Sequence, residues 1–212
     1  MRYYPACLDL RERPCLVVGG GLVAERKTLS LIEAGALVTI VSPLLTPQLQ
    51  ELSRSGKITY HAKTFDARDL DSVYLVVVAT NSLEVNSLAG RLCRERNILV
   101  NVAAPPEESS FIVPSVITRG HLMITVSTNG VSPALSKKIR EELEGQYGQE
   151  YEMFLDELAS VRKKLLDEVP DETVRRGILK AIVDSDAIDL MKKGSTVEAK
   201  QRVEELLRQR RG

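Results

Sequence analysis

The sequence predicts an α/β fold, a doubly wound parallel sheet followed by a small β element and a helical C-terminal region. Up to Val102, short β-branched or apolar runs alternate with amphipathic helical stretches, the pattern of parallel strands joined by crossover helices. One run, Tyr74–Ala79, is apolar throughout, as in a strand covered on both faces. Beyond Ala103-Ala104-Pro105-Pro106 the alternation stops, and from Tyr151 onward apolar residues recur only at helical spacing.

Pro14–Val18 reads as the first strand, because an apolar run ends abruptly in Gly19-Gly20-Gly21. A helix is expected from Ala24 to Ala34, with Leu29, Ile32 and Ala36 at helical spacing. Leu37–Val41 is β-branched and stopped by Ser42-Pro43; Pro47–Ser55 is a short amphipathic helix closed by Gly56. Ile58–Tyr60 is a candidate third strand, Tyr74–Ala79 a fourth, and Ile98–Val102 a fifth after a helix from Leu83 to Glu95. Phe111–Thr118 and His121–Ser127 follow as two strands joined around Arg119-Gly120. Ser132-Pro133 reads as N-cap and first residue of a helix that runs to Tyr147 and stops at Gly148. Tyr151, Phe154, Leu155, Leu158, Val161 and Leu165 line one helical face, and Ser195-x-x-Glu198 is a capping box opening a last helix to Arg210. The expected divisions are 1–112, 113–148 and 149–212.

Composition excludes several classes. A chain of 212 residues holds one or two domains. Lys+Arg (29) and Asp+Glu (29) cancel, so no net field draws the molecule to nucleic acid or an anionic membrane. With 43% hydrophobic and 27% charged residues the chain lies far from the disordered corner. An aromatic share of 4% without Trp leaves little material for base-stacking platforms. Cys7, Cys15 and Cys93 show no CxxC spacing and sit in or beside apolar segments, as reduced structural thiols do. The N-terminus lacks a signal-type apolar run, and no run approaches the roughly 20 residues of a membrane span. A soluble cytoplasmic protein is expected.

The strongest chemical signal is Val17-Val-Gly-Gly-Gly-Leu-Val-Ala24, which fits G-x-G-x-x-A between a strand and a helix. Gly19 permits the tight turn, Gly21 lets a pyrophosphate approach the backbone, and Ala24 allows close helix–strand packing. The helix N-terminus that follows Gly19-Gly20-Gly21 supplies N–H donors and partial positive charge. This reads as a Rossmann-like dinucleotide site, with NAD as its expected cofactor, against the alternative of a tight βα turn that binds nothing. The acidic residue usually found about 20 positions on, at the end of the second strand, is missing. The chain reads Ile40-Val41-Ser42-Pro43 there, with no Arg for a 2′-phosphate. The ribose therefore falls to Ser42 or to backbone groups of Pro43 and Leu44. Thr80-Asn81, just past the buried strand, lies where doubly wound sheets place ligands, and equally reads as a turn and N-cap.

The glycine motif, NVAAPPEESSFIVPS and TVSTNGVSPALSKKIREELE occur in that order. Together they resemble the bifunctional precorrin-2 dehydrogenase and sirohydrochlorin ferrochelatase family, the N-terminal half of larger siroheme synthases. The match covers Pro5 to Glu144 well and the C-terminal helices only in character. The resemblance implies NAD-dependent oxidation of precorrin-2 to sirohydrochlorin and, in many members, insertion of ferrous iron as a substrate. It also implies a homodimer whose strands pair across the interface within 113–148, and no resident metal. Cofactor contacts carry over to Gly21, Leu22, Val23, Pro43 and Leu44, and the turn phosphorylated in some members to Ser127-Thr128. The accompanying methyltransferase domain has no room in 212 residues.

One position departs from the family. Its loop after the fifth strand commonly reads N-V-V-D, the Asp serving as acid/base, whereas this chain reads Asn101-Val102-Ala103-Ala104. Ala104 cannot move a proton. Hydride transfer mainly needs alignment of donor and acceptor, while metal insertion needs pyrrole protons removed and suffers more. Glu107, Glu108 and His121 are the nearby candidates to replace it.

Precorrin-2 is a polycarboxylate, and Asn129-Gly130-Val131-Ser132-Pro133 delivers a helix N-terminus flanked by Arg119, Lys137, Lys138 and Arg140. Substrate contacts are expected at Asn101, Arg119, Thr128, Asn129, Gly130, Ser132 and Lys137. The charges also read as a solvated face balanced by Glu141, Glu142 and Glu144. A second function remains open, a non-enzymatic NAD(H)-sensing module whose tail, with Arg202, Arg208, Arg210 and Arg211, contacts a partner or DNA.

Overall fold

The computed structural model describes residues 3–209 and resolves two compact units, Met1–Val113 and Pro114–Gly212. The first is built on a five-stranded, all-parallel sheet in the order β3-β2-β1-β4-β5. Its elements are β1 (Pro14–Val18), α1 (Leu22–Glu33), β2 (Leu37–Val41), α2 (Pro47–Arg54), β3 (Thr59–His61), β4 (Leu75–Val78), α3 (Leu83–Glu95) and β5 (Leu99–Val102). Single 3-10 turns at Ala67–Leu70 and Pro106–Glu108 precede β4 and follow β5.

Strand parity explains why the core runs are continuous rather than alternating. Cys15, Val17, Val38, Ile40, Leu75 and Val77 face α1 and α2, while Leu16, Val18, Val41, Val76, Val78, Val100 and Val102 face α3. A strand covered on both sides needs an apolar residue at every position. Ala24, Thr28 and Leu31 form the buried stripe of α1, and Asn86, Ala89, Gly90 and Cys93 that of α3. Because the strand order reverses between β1 and β4, the two βα loops diverge there and leave a crevice beyond the strand ends.

Several boundaries differ from expectation, and three of them have a plain physical reason. α1 begins at Leu22 rather than Ala24, since extended Gly21 is its N-cap and the Glu25 amide already bonds to Gly21 O at 2.9 Å. β3 lies one residue later, its register set by pairing of Thr59–His61 with Thr39–Val41, while Ile58 is spent in the core. Phe111 opens no strand. Residues 109–111 are stitched to the outer edge of β5, where Ser110 N donates to Val100 O at 2.8 Å and the Ser109 and Ser110 hydroxyls accept from Val102 N and Val100 N, both at 2.8 Å.

In the second unit β6 (Ser115–Arg119) and β7 (Leu122–Val126) form an antiparallel hairpin, with Gly120 turning at φ +53°. Helices α4 (Pro133–Gln146), α5 (Glu150–Glu168), α6 (Glu172–Val183), α7 (Ala187–Lys192) and α8 (Thr196–Gln209) follow. Phe154, Val161 and Leu165 meet Ile178, Ile182, Met191, Ala199 and Val203 in one core, with Leu158 at its margin. Tyr151 instead packs on Tyr147, ring centroids 5.0 Å apart. Arg210 and Arg211 lie outside the described residues.

Candidate functional site

Three loops at the carboxyl ends of the strands enclose a cavity of about 540 Å³, within the range of small-molecule and cofactor sites. They are the glycine turn after β1, Ser42–Thr46 after β2 and Ala79–Ser82 after β4, with Thr64, Phe65 and Val85 completing the lining. Of the expected cofactor residues, Gly19, Gly20, Gly21, Ser42, Pro43, Leu44, Thr80 and Asn81 line this cavity. Leu22 and Val23 do not; their side chains are exposed on the first turn of α1.

The three glycines answer to different constraints. Gly19 sits at φ +121°, and a Cβ there would lie 2.3 Å from Ala79 O. A Cβ on Gly20 would lie 1.9 Å from Leu44 O. Both are required by the packing of the loops on one another. Gly21 is different: its backbone is ordinary, and nothing of the protein lies within 4 Å of the Cβ position. The space is open on the cavity side of a helix N-terminus that has no side-chain cap, so the first N–H groups of α1 are left for a ligand. A dinucleotide pyrophosphate fits that combination of free donors, partial positive charge and missing Cβ.

The β2–α2 loop is anchored from several sides. Thr46 N donates to Gly20 O at 3.0 Å, and the Thr46 hydroxyl donates to Glu25 of α1 at 2.5 Å while accepting from Leu49 N as the α2 N-cap. Ser42 is buried and donates its proton to Leu44 O at 2.7 Å. Tyr60 donates to Ser42 O at 3.0 Å, with Pro43 O at 3.4 Å. The carbonyls of Pro43 and Leu44 thus each already accept from a neighbouring hydroxyl, and the Ser42 hydroxyl oxygen, spent as a donor on Leu44 O, keeps acceptor capacity.

Beyond β4, the N-cap of α3 is Ser82 rather than Thr80 or Asn81, accepting from Val85 N at 3.3 Å. Thr80 is held by Asn86, a buried residue of α3 that also donates to Ala104 O at 2.8 Å. Ala104 itself is exposed and joined to Pro105 by a cis peptide. Among the candidates to replace an acid/base, Glu108 is ion-paired to Arg94, Glu107 is exposed on the 3-10 turn, and exposed His121 in the second unit lies 3.8 Å from Asp156.

The expected substrate residues separate between the units. Asn101 belongs to β5 and donates to Phe111 O at 3.1 Å. In the second unit, Thr128 exchanges hydrogen bonds with Ser132 N and O, both 3.0 Å, and fixes the turn in which Asn129 and Gly130 take positive φ. Ser132 caps α4 through Leu135 N. Arg119 donates to Thr118 O, and Lys137 faces Glu141 at 3.7 Å, Lys138 Glu142 at 4.0 Å and Arg140 Glu144 at 2.5 Å. On the last helix Arg202 pairs with Asp186 and Arg208 with Glu204, so those two cations are internally balanced. Among the described residues no three His, Cys, Asp or Glu side chains gather as a metal ligand set, and no helix is long and apolar enough to cross a membrane.

Leu45, Thr46, Thr64, Phe65, Ser82, Val85 and Asn86 escaped the sequence reading. Thr46-Pro47 carries the same N-cap and N1 signature that marked Ser132-Pro133 and was available to find the loop. An Asn near the start of a helix, past its N-cap, carries no such mark.

A family model for NAD(P)-binding matches residues 6–115, and a model for the central region of sirohaem biosynthesis proteins matches residues 119–146. The siroheme synthase of Photobacterium profundum is 35% identical over 201 residues, 95% of this chain and 43% of that protein. That of Methylobacillus flagellatus is 44% identical over 144 residues, 68% of this chain and 31% of that protein. The chain thus spans less than half of the curated relatives it matches. A solved structure of SirC, precorrin-2 dehydrogenase, superposes with a TM-score of 0.81 at 29% identity, covering 96% of this chain and all of that one.

Proposed function

The chain belongs to the precorrin-2 dehydrogenase family, the NAD(P)-binding module of siroheme synthases, and on that premise we propose that it oxidises precorrin-2 to sirohydrochlorin with NAD. One observation carries the reading: Gly21 is open space over the cavity at the sheet's switch point, where nothing in the protein itself demands a glycine.

When bound, NAD supplies a hydride acceptor. The chain's own residues bind and orient. The first N–H groups of α1 would hold the pyrophosphate, and the Ser42 hydroxyl oxygen would accept from a ribose. Thr80 and Asn81 form the rim at the β4 end of the crevice, opposite the Ser42–Thr46 loop. Oxidation removes a hydride and a proton from the tetrapyrrole, and alignment of the donor carbon supplies most of the rate. With Ala104 in the loop after β5, the proton passes to solvent or to a group of the substrate itself. Insertion of ferrous iron needs a base at the ring nitrogens, so we assign dehydrogenation, not chelation, as the main activity.

Asn101, Arg119, Thr128, Asn129, Gly130, Ser132 and Lys137 are proposed to meet the substrate carboxylates. The β6–β7 hairpin exposes Val116, Thr118, Met123 and Thr125 on one face, and two-stranded hairpins leave open edges. We propose that it completes a homodimer, which sedimentation velocity tests: a monomeric mass at micromolar protein rejects it. The buried thiols of Cys15 and Cys93 suit a reducing, cytoplasmic setting.

The deciding experiment is anaerobic incubation with precorrin-2 and NAD. NADH and sirohydrochlorin should appear in equal amounts. Tight NAD binding without NADH would instead favour the sensor reading.

A further inference from the structure

We infer that Asn86 is a positioning residue for the proposed dehydrogenation, clamping the rim of the cofactor cavity to the loop after β5. The inference rests on the proposed function. Asn86 is the fourth residue of α3, fully enclosed, and a poor helix former. Its side-chain amide is saturated. Oδ1 accepts from the Thr80 hydroxyl at 2.7 Å and from Thr80 N at 3.3 Å, and Nδ2 donates to Thr80 O at 3.2 Å and Ala104 O at 2.8 Å. Two donors and two acceptor positions are the full capacity of a carboxamide. Thr80 in turn accepts from Ser82 N at 3.1 Å, so the β4 rim and the N-cap of α3 hang on one side chain.

No other residue type of this size makes that pattern. An Asp keeps the shape and both acceptors but loses the two donors, leaving the Thr80 and Ala104 carbonyls facing carboxylate oxygen. A Leu leaves three polar groups unpartnered, Thr80 N, Thr80 O and Ala104 O, while the Thr80 hydroxyl keeps Ser82 O. The Ser42–Thr46 loop is anchored independently by Tyr60, Glu25 and Gly20. Asn86 therefore acts on the β4 rim of the cavity and spares the β2 side.

The test compares the unsubstituted chain with Asn86→Asp and Asn86→Gln, measuring kcat, the KM for NAD, equilibrium NAD binding and the melting temperature. Asn86→Asp should lower kcat about 100-fold, the loss typical of an ångström-scale misalignment, with KM and NAD affinity changing less than about threefold. Asn86→Gln, which keeps both N–H donors, should recover part of the rate and covers the case in which the Asp variant fails to fold. Unaltered kcat in both variants, or a loss that only tracks the folded fraction, overturns the inference while leaving the proposed function intact. Failure of the unsubstituted chain to form NADH overturns both.

Discussion

The Ser109 hydroxyl accepts the amide N–H of Val102 at 2.8 Å and lies 3.3 Å from the carbonyl oxygen of the same residue. Ser110 does the same to Val100. Val100 and Val102 turn these groups away from β4, so two serine side chains cover the outer edge of the parallel sheet where a sixth strand would otherwise be needed. Ser109→Ala should cost about 1–3 kcal/mol, the penalty for a buried N–H left without its acceptor. Urea unfolding measures it, and NAD binding should change little because Ser109 does not line the cavity. A loss of affinity with full stability would contradict the assignment of this serine to the sheet edge.

The glycine turn separates structural from ligand-facing glycine. Gly19→Ala and Gly20→Ala drive a Cβ to 2.3 and 1.9 Å from backbone oxygens, and each should lower the melting temperature markedly, since overpacking against backbone costs about 1–3 kcal/mol or more. Gly21→Asp meets open space and should fold normally, yet place a carboxylate against the pyrophosphate and abolish oxidation. Calorimetry with and without NAD distinguishes the two classes. A Gly21→Asp protein that still turns over would remove the dinucleotide from this turn.

Much of the first unit was legible because its signals are local. β1 and β2, the helix Leu83–Glu95 and the glycine motif follow from runs, caps and spacing within a few residues of each other. Phe111 looked like strand because it heads an apolar stretch, but its segment pairs with β5 through serine side chains, a tertiary event with no periodicity. Asn86 was invisible for the same reason: its four hydrogen bonds go to Thr80 and Ala104, 6 and 18 positions away. The missing acid after β2 was plain in Ser42-Pro43, whereas the engagement of the Ser42 and Pro43 carbonyls by Tyr60 depends on β3 pairing beside β2.

Burial pushes the thiols of Cys15 and Cys93 up to about 11 from an ordinary 9.0. Between those values the unfolded chain loses protons that the folded chain keeps, so the slope of stability against pH is negative. The contribution is intact below pH 9 and is lost as pH rises toward about 11. Urea midpoints at pH 8 and pH 10 should therefore fall with pH, and Cys93→Ala should flatten the decline. In native protein at pH 8, iodoacetamide should label exposed Cys7 and spare the other two until denaturant is added. Rapid native labelling of Cys93 would be inconsistent with its place in the α3 core.

Ala104 offers the most direct route to the second activity. It is exposed, its carbonyl is fixed by Asn86, and its methyl group stands where the family resemblance places an acid/base carboxylate. Since hydride transfer depends on alignment and metal insertion on deprotonation, restoring a carboxylate should affect the two reactions unequally. Ala104→Asp places its charge at an exposed position, so little desolvation opposes it. Dehydrogenation by this variant should stay within a few-fold of the parent. Ferrous iron insertion into sirohydrochlorin, followed by absorbance under anaerobic conditions, should rise by about 100-fold, in the range of a positioned general base. An increase in dehydrogenation of the same size would mean that proton removal, not alignment, limits the oxidation. No increase in either reaction would show that the loop after β5 no longer addresses the substrate in this chain, and would move the search for a base to Glu107 and His121.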